Sequence, residues 1–273
     1  MWGGGMEKNN SFYWLGSDDM SLNKDTIKNC GEIVIGYYGG NTESGADKNE
    51  DAAVLLCDKN SKWKFAVLLD AHGTSESAKL VIENIKKEQC SIEKNLNMSI
   101  KNAFIQLHKL FFNMFNNEDF KEKCKNVNGE TACLIVAQKE EYLWWMSIGD
   151  NRVYLLHPEL MELNQFALNE RQFYEWIGKV NTFDCDIPCY TTGTRLLREG
   201  KNYIYLITDG VLECGNRKFE DDRELCNMLV DNGDISGNIS KVLNEVHKLK
   251  GRDSATMIGW SYFNNKKAPR PTR

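Results

Sequence analysis

Short runs of apolar and β-branched residues constrain this chain most. They fall at about 32–38, 52–57, 63–70, 131–138, 142–148, 152–156, 203–208 and 255–263, and each has the length and residue types of a β-strand. Acids mark the edges of several runs: Glu50-Asp51 before Ala52, Asp70 after Leu69, Asp209 after Thr208, and Asp253 shortly before Ala255. A strand buried on both faces has no use for a carboxylate at its end unless something there needs oxygen ligands. Hard cations such as Mg²⁺ and Mn²⁺ take ligands of that kind.

Between the runs, Asp58-Lys59-Asn60-Ser61 reads as a hairpin turn and Gly149-Asp150-Asn151 as another. Helical periodicity predicts helices at about 75–89 and 92–116, the second with Ile100, Phe104, Leu107, Phe111 and Met114 on one face. A last helix near 237–249 would bury Ile239, Val242, Leu243, Val246 and Leu249. From 157 to 200 the pattern breaks into short, irregular pieces. Strands clustered in antiparallel hairpins, with helices in consecutive pairs, predict an α+β fold: an antiparallel β-sandwich flanked on both faces by helix pairs. Residues 1–30 read as a loosely ordered lead-in whose Phe12, Tyr13 and Trp14 could dock on the domain. The domain itself spans 31–265, and 266–273 form a tail.

The chain has 273 residues, with 41% hydrophobic and 27% charged, enough for one large domain with a sizeable core. A net charge of −5 argues against a nucleic-acid backbone as partner. No apolar run approaches a membrane span, and Met1-Trp2-Gly3-Gly4-Gly5 does not read as a signal peptide, so none is expected there. The nine cysteines are odd in number, scattered, and form no C-x-x-C pair, so a reduced, cytoplasmic setting is expected. A monomer is expected as well.

Six motifs follow one another in a particular order. They are Lys48-Asn49-Glu50-Asp51-Ala52, Asp70-Ala71-His72-Gly73-Thr74, Gly129-Glu130-Thr131-Ala132, Ile148-Gly149-Asp150-Asn151-Arg152, Thr208-Asp209-Gly210 and Asp253-Ser254-Ala255-Thr256. In this order they resemble the metal-dependent type 2C serine/threonine protein phosphatases, and more closely their compact bacterial members, over about residues 33–263. The resemblance implies hydrolysis of phosphoserine and phosphothreonine in a phosphorylated protein substrate by a metal-bridged water. It implies two Mn²⁺ or Mg²⁺ ions and a third, weaker one. Asp70 would bridge two metals and the Ala71 carbonyl would bind one of them. Asp209 and Asp253 would bind the other, Glu50 and Asp51 would hold metal-bound waters, and Asp150 would share the third ion with Asp209. His72 matches the histidine that protonates the leaving alkoxide. The irregular stretch 157–200 matches the variable flap beside the active site.

Three positions depart from the family pattern. Ala71 and Thr74 replace glycines, which raises the question of whether the backbone there tolerates a Cβ. Ala46 stands where the family often has a phosphate-binding arginine, leaving Lys48 as the nearest cation and Arg195 or Arg252 as substitutes. Two other classes stay open, the first favoured by these departures and the second by residues 157–200 if they served as a lid. One is a pseudophosphatase that binds a phosphoprotein or regulatory partner without turnover, and the other a phosphatase of small phosphorylated metabolites. Cys189 to Arg195 has the bare C-x₅-R spacing of cysteine phosphatases, but Pro188 before it and a strand after it argue against a phosphate loop. The glycines from Gly36 to Gly45 lack the Lys-Ser/Thr of a nucleotide loop and read as a turn.

Overall fold

Both faces of the central strands are apolar, and two antiparallel sheets with outer helices satisfy both. The structure is a computed structural model that describes residues 10–230 and 234–270. The first sheet runs in the order β1 (Ser11–Leu15), β4 (Ala52–Cys57), β5 (Trp63–His72), β6 (Glu130–Lys139), β7 (Tyr142–Ile148) and β10 (Thr191–Leu196), with β9 (Ile177–Gly178) paired to β6. The second runs β2 (Asp25–Cys30), β3 (Ile33–Tyr38), β12 (Ala255–Asn264), β11 (Gly200–Ile207) and β8 (Arg152–Leu156).

Side chains alternate along each strand. On β4, Ala53 and Leu55 meet Ile35, Leu206 and Ile258 of the facing sheet. Its other face carries Ala52, Val54 and Leu56, which join Val81, Ile85 and Phe111 beneath the helices. Those helices are α1 (Glu76–Leu96), α2 (Ile100–Phe115) and α3 (Glu118–Lys125). The single turns α4 (Pro158–Glu162), α5 (Asp209–Leu212) and α6 (Cys214–Arg217) lead to α7 (Asp222–Val230) and α8 (Ile235–Lys248). The last two cover the outer face of the second sheet, where Ile239, Val242 and Leu243 pack on Tyr38, Tyr205 and Met257. Burying one such aliphatic side chain stabilises the fold by roughly 1.5–3 kcal/mol. The α+β sandwich with helices on both faces is as expected from the sequence.

Four details differ. The lead-in is not loosely ordered over its described part: β1 and β2 belong to the two sheets, and Trp14 is buried and stacked on Tyr37 at 4.1 Å. Residues 1–9 of the lead-in and 271–273 of the tail lie outside the described residues. Gly149-Asp150-Asn151 is a crossover and not a hairpin turn, since β7 pairs with β6 while β8 pairs with β11 in the other sheet. Gly149, at φ +90°, makes that crossing possible because a Cβ would meet Ala132 at 2.6 Å. Gly36 lies inside β3 and not in a turn. Its missing side chain admits Ile239 of α8, which would sit 2.3 Å from a Cβ. The helix break falls at 97–99, not near 90, because Ile92 and Leu96 continue the buried face of α1.

Candidate active site and metal centre

Strand ends of both sheets meet at one edge of the sandwich, and the acids gather there. Asp51 precedes β4 and is fully buried. Hydroxyls from the start of β12 hold it across the sheets, Ser254 Oγ donating to Oδ1 at 2.9 Å and Thr256 Oγ1 to Oδ2 at 2.6 Å. Asp70 lies within β5 opposite Ala132, two residues before the strand ends. The Thr131 hydroxyl donates to the Asp70 carbonyl at 3.1 Å. Asp209 opens α5 at the end of β11, within side-chain hydrogen-bonding reach of Asp70.

These groups lie close enough for their charges to act on one another. Burial first, then the charges of Asp209, Asp51, Asp253 and Asp150, pushes the Asp70 carboxyl well above the usual carboxylate range. Burial also raises Asp51 to about 7, with repulsion from Asp253 and Asp209 adding to it and the Thr256 and Ser254 hydroxyls opposing. Asp209 rises to about 6 through burial and the charges of Asp150 and Asp253. One oxygen each of Glu50, Asp70, Asp150 and Asp209 is buried with no hydrogen-bond partner among the described residues. Lone pairs of this kind, on carboxylates alone, suit a hard divalent cation.

Among the described residues, no three His, Cys, Asp or Glu side chains close into a ready-made ion site. Cations of the chain itself hold several of the acids. Lys48 Nζ lies 2.6 Å from Glu50 and donates to the Gly73 carbonyl at 3.1 Å. Arg171 Nη2 lies 3.2 Å from Asp150, 3.5 Å from Asp209 and 2.7 Å from Glu213. The donor set fits divalent cations, and filling it calls for these side chains to move.

His72 ends β5, its ring edge-on to Trp176 at 5.2 Å. The turn beyond it is held close to Gly129, where a Cβ would come 2.1 Å from the His72 carbonyl oxygen. Neither Ala71 nor Thr74 has a positive φ; Gly73, at +90°, takes that conformation between them. A Cβ is therefore free of backbone strain at both departures. Thr74 also uses its hydroxyl, which donates to the Asn128 carbonyl and accepts from the N–H of Glu76, the first residue of α1, at 3.2 Å.

A cleft of about 540 Å³ opens beside the acids, lined by Ala46, Lys48, Glu50, Arg252, Asp253 and Ser254. Of the two arginines considered as substitutes, Arg252 reaches this cleft. Arg195 lies on β10 over the Trp145 ring and lines a different groove with Arg152 and Arg198. Cys189 has no phosphate loop: its Sγ donates to the Ile187 carbonyl and β10 follows. Arg171, Trp176, Ser254 and Thr256 carry site contacts that the motifs alone do not assign. The hydroxyls could have been found, since they follow Asp253 at one and three residues in an alternating strand. Arg171 and Trp176 sit in the irregular stretch, where no periodicity points inward.

No protein-family model matches the chain, and no curated protein matches it in sequence. Solved structures do match. A bacterial serine phosphatase carrying an arginine-to-alanine mutation is 16% identical with a TM-score of 0.65, covering 84% of this chain and 97% of its own. Serine/threonine phosphatase Stp1 from Staphylococcus aureus is 15% identical with a TM-score of 0.61, covering 96% and 99%. RsbX in complex with magnesium is 14% identical with a TM-score of 0.55, covering 87% and 100%. The chain shares its fold with these structures, the serine and serine/threonine phosphatases among them. No helix among the described residues is long and apolar enough to cross a membrane.

Proposed function

We propose that this chain hydrolyses phosphoserine and phosphothreonine monoesters in proteins, using bound Mn²⁺ or Mg²⁺. The observation that carries the reading is the set of buried, unpartnered carboxylate oxygens on Glu50, Asp70, Asp150 and Asp209, at one edge of a fold found in serine/threonine phosphatases. Asp70, the Ala71 carbonyl, Asp209 and Asp253 would hold two ions, with Glu50 and Asp51 contributing through water and Asp150 sharing a third with Asp209. Such ions supply charge neutralisation at the phosphoryl oxygens and acidify water for in-line attack.

The remaining roles belong to the chain. Ser254 and Thr256 fix the Asp51 carboxylate, and Thr131 pins the strand that carries Asp70. A ring nitrogen of His72 can deliver a proton to the leaving alkoxide, while the Trp176 edge restricts where that ring points. Lys48, at the turn of Gly73, offers a point charge to phosphate.

One observation favours a second reading, a phosphoprotein-binding pseudophosphatase: Arg171 and Lys48 already pair with the acids. Turnover separates the two. Phosphoserine and phosphothreonine peptides, assayed with Mn²⁺ beside a panel of small phosphorylated metabolites, should be hydrolysed by the wild type and not by Asp253→Ala. Activity on metabolites alone would replace the protein-substrate reading. Phosphopeptide binding without turnover would establish the pseudophosphatase.

A further inference from the structure

Arg171 belongs to the irregular stretch, yet its guanidinium is drawn into the acidic edge. Its side chain is 15% exposed, and one nitrogen, Nη2, faces three carboxylates from separate places in the chain. Asp150 comes from the crossover between the sheets, Asp209 from the first residue of α5, and Glu213 from just past the end of that turn. The guanidinium also lies over the Phe173 ring at 4.7 Å, which ties the rest of the segment to the same spot. The Asp150 side chain is only 4% exposed, and its other oxygen is buried without a partner, as is one oxygen of Asp209. These two carboxylates thus turn one oxygen each toward a tethered cation and keep one each unsatisfied. A single positive charge facing three carboxylates leaves a deficit that a divalent ion would fill better.

We infer that Arg171 is a tethered cation that competes with a divalent ion for Asp150 and Asp209, so that ion binding there releases the segment around 169–176. The inference rests on the metal-dependent reading above. Competition of this kind sets a threshold: the ion must outbid an arginine held at high local concentration by its own backbone. It also couples two events, since the segment that Arg171 anchors includes Trp176, the ring beside His72. Loading the Asp150–Asp209 position and freeing the flap become one equilibrium.

The test is Mn²⁺ binding by calorimetry on the full chain, comparing wild type with Arg171→Gln, Arg171→Lys and Asp253→Ala. Arg171→Gln should gain a Mn²⁺ equivalent, or bind its weakest one about tenfold more tightly. Arg171→Lys, which keeps the charge without the fork, should fall between and guards against misfolding of the glutamine variant. In the wild type, tryptic cleavage after Arg171 should accelerate when Mn²⁺ is added. Superimposable isotherms for wild type and Arg171→Gln, with cleavage at Arg171 unchanged by Mn²⁺, would overturn the inference alone, provided Asp253→Ala binds more weakly. Absence of Mn²⁺ binding in every protein would overturn both the inference and the reading on which it rests.

Discussion

Asp51 is a buried acid whose two oxygens are both held by hydroxyls from the opposite sheet. Removing either hydroxyl leaves the carboxylate in place but loosely aimed. Because Asp51 would hold an ion through water, Ser254→Ala and Thr256→Ala should each weaken Mn²⁺ binding by at most about 10-fold, the low end of the cost of losing a direct ligand's orienting partner, with the fold intact by circular dichroism. An unchanged isotherm would remove Asp51 from the ion site. Proton linkage makes a second prediction. The Asp51 and Asp209 carboxyls titrate at about 7 and about 6 in the folded protein, against 3.8 for an ordinary aspartate. A raised acid favours the folded state while protonated, and that stability fades as pH climbs through the folded values. In chelator, stability should therefore drop by a few kcal/mol between pH 4 and pH 7, read as a falling melting temperature. Asp51→Asn should flatten the slope, and a melting temperature that rises over this range would contradict the burial argument. At this scale the acids were legible because they interrupt apolar runs. Arg171 was not, because nothing in an aperiodic stretch says which way a side chain faces.

The antiparallel pairing of β5 with β6 positions the catalytic candidates. Asp70, Ala71 and His72 pair with Ala132, Thr131 and Glu130, and Gly129 closes the far end at φ +86°. Gly129→Ala would thrust a Cβ to within 2.1 Å of the His72 carbonyl. It should cost about 1–3 kcal/mol or more by denaturant melts and lower turnover as His72 is displaced. A neutral result would mean that this turn does not hold the histidine. Strand existence was readable from apolar runs, but four strands, β1, β2, β9 and β10, escaped that signal. Among them, β10 is polar and largely exposed at a sheet edge, and β2 is polar over most of its length. The crossover at Gly149 was misread for a related reason: a glycine-containing turn between two apolar strands looks alike whether the strands pair with each other or part to different sheets. That choice is made by long-range pairing, here β8 with β11.

At the scale of the molecule, two sheets supply an edge where strand ends from both layers converge, and helices on each outer face let every central strand be apolar throughout. That architecture was legible because continuous apolar runs admit few alternatives once helix pairs are recognised. The order of the acid motifs pointed to the site, whereas the internal cations that now pair with the acids depend on contacts no spacing reports. The central claim is metal-dependent phosphate-ester hydrolysis at these carboxylates. Hydrolysis of p-nitrophenyl phosphate with Mn²⁺, with and without EDTA, beside the Asp209→Ala protein, tests it most directly. Turnover that requires Mn²⁺ and falls to background in Asp209→Ala is the expected result. Turnover that survives EDTA or the loss of Asp209, or no turnover although Mn²⁺ binds, would contradict the claim.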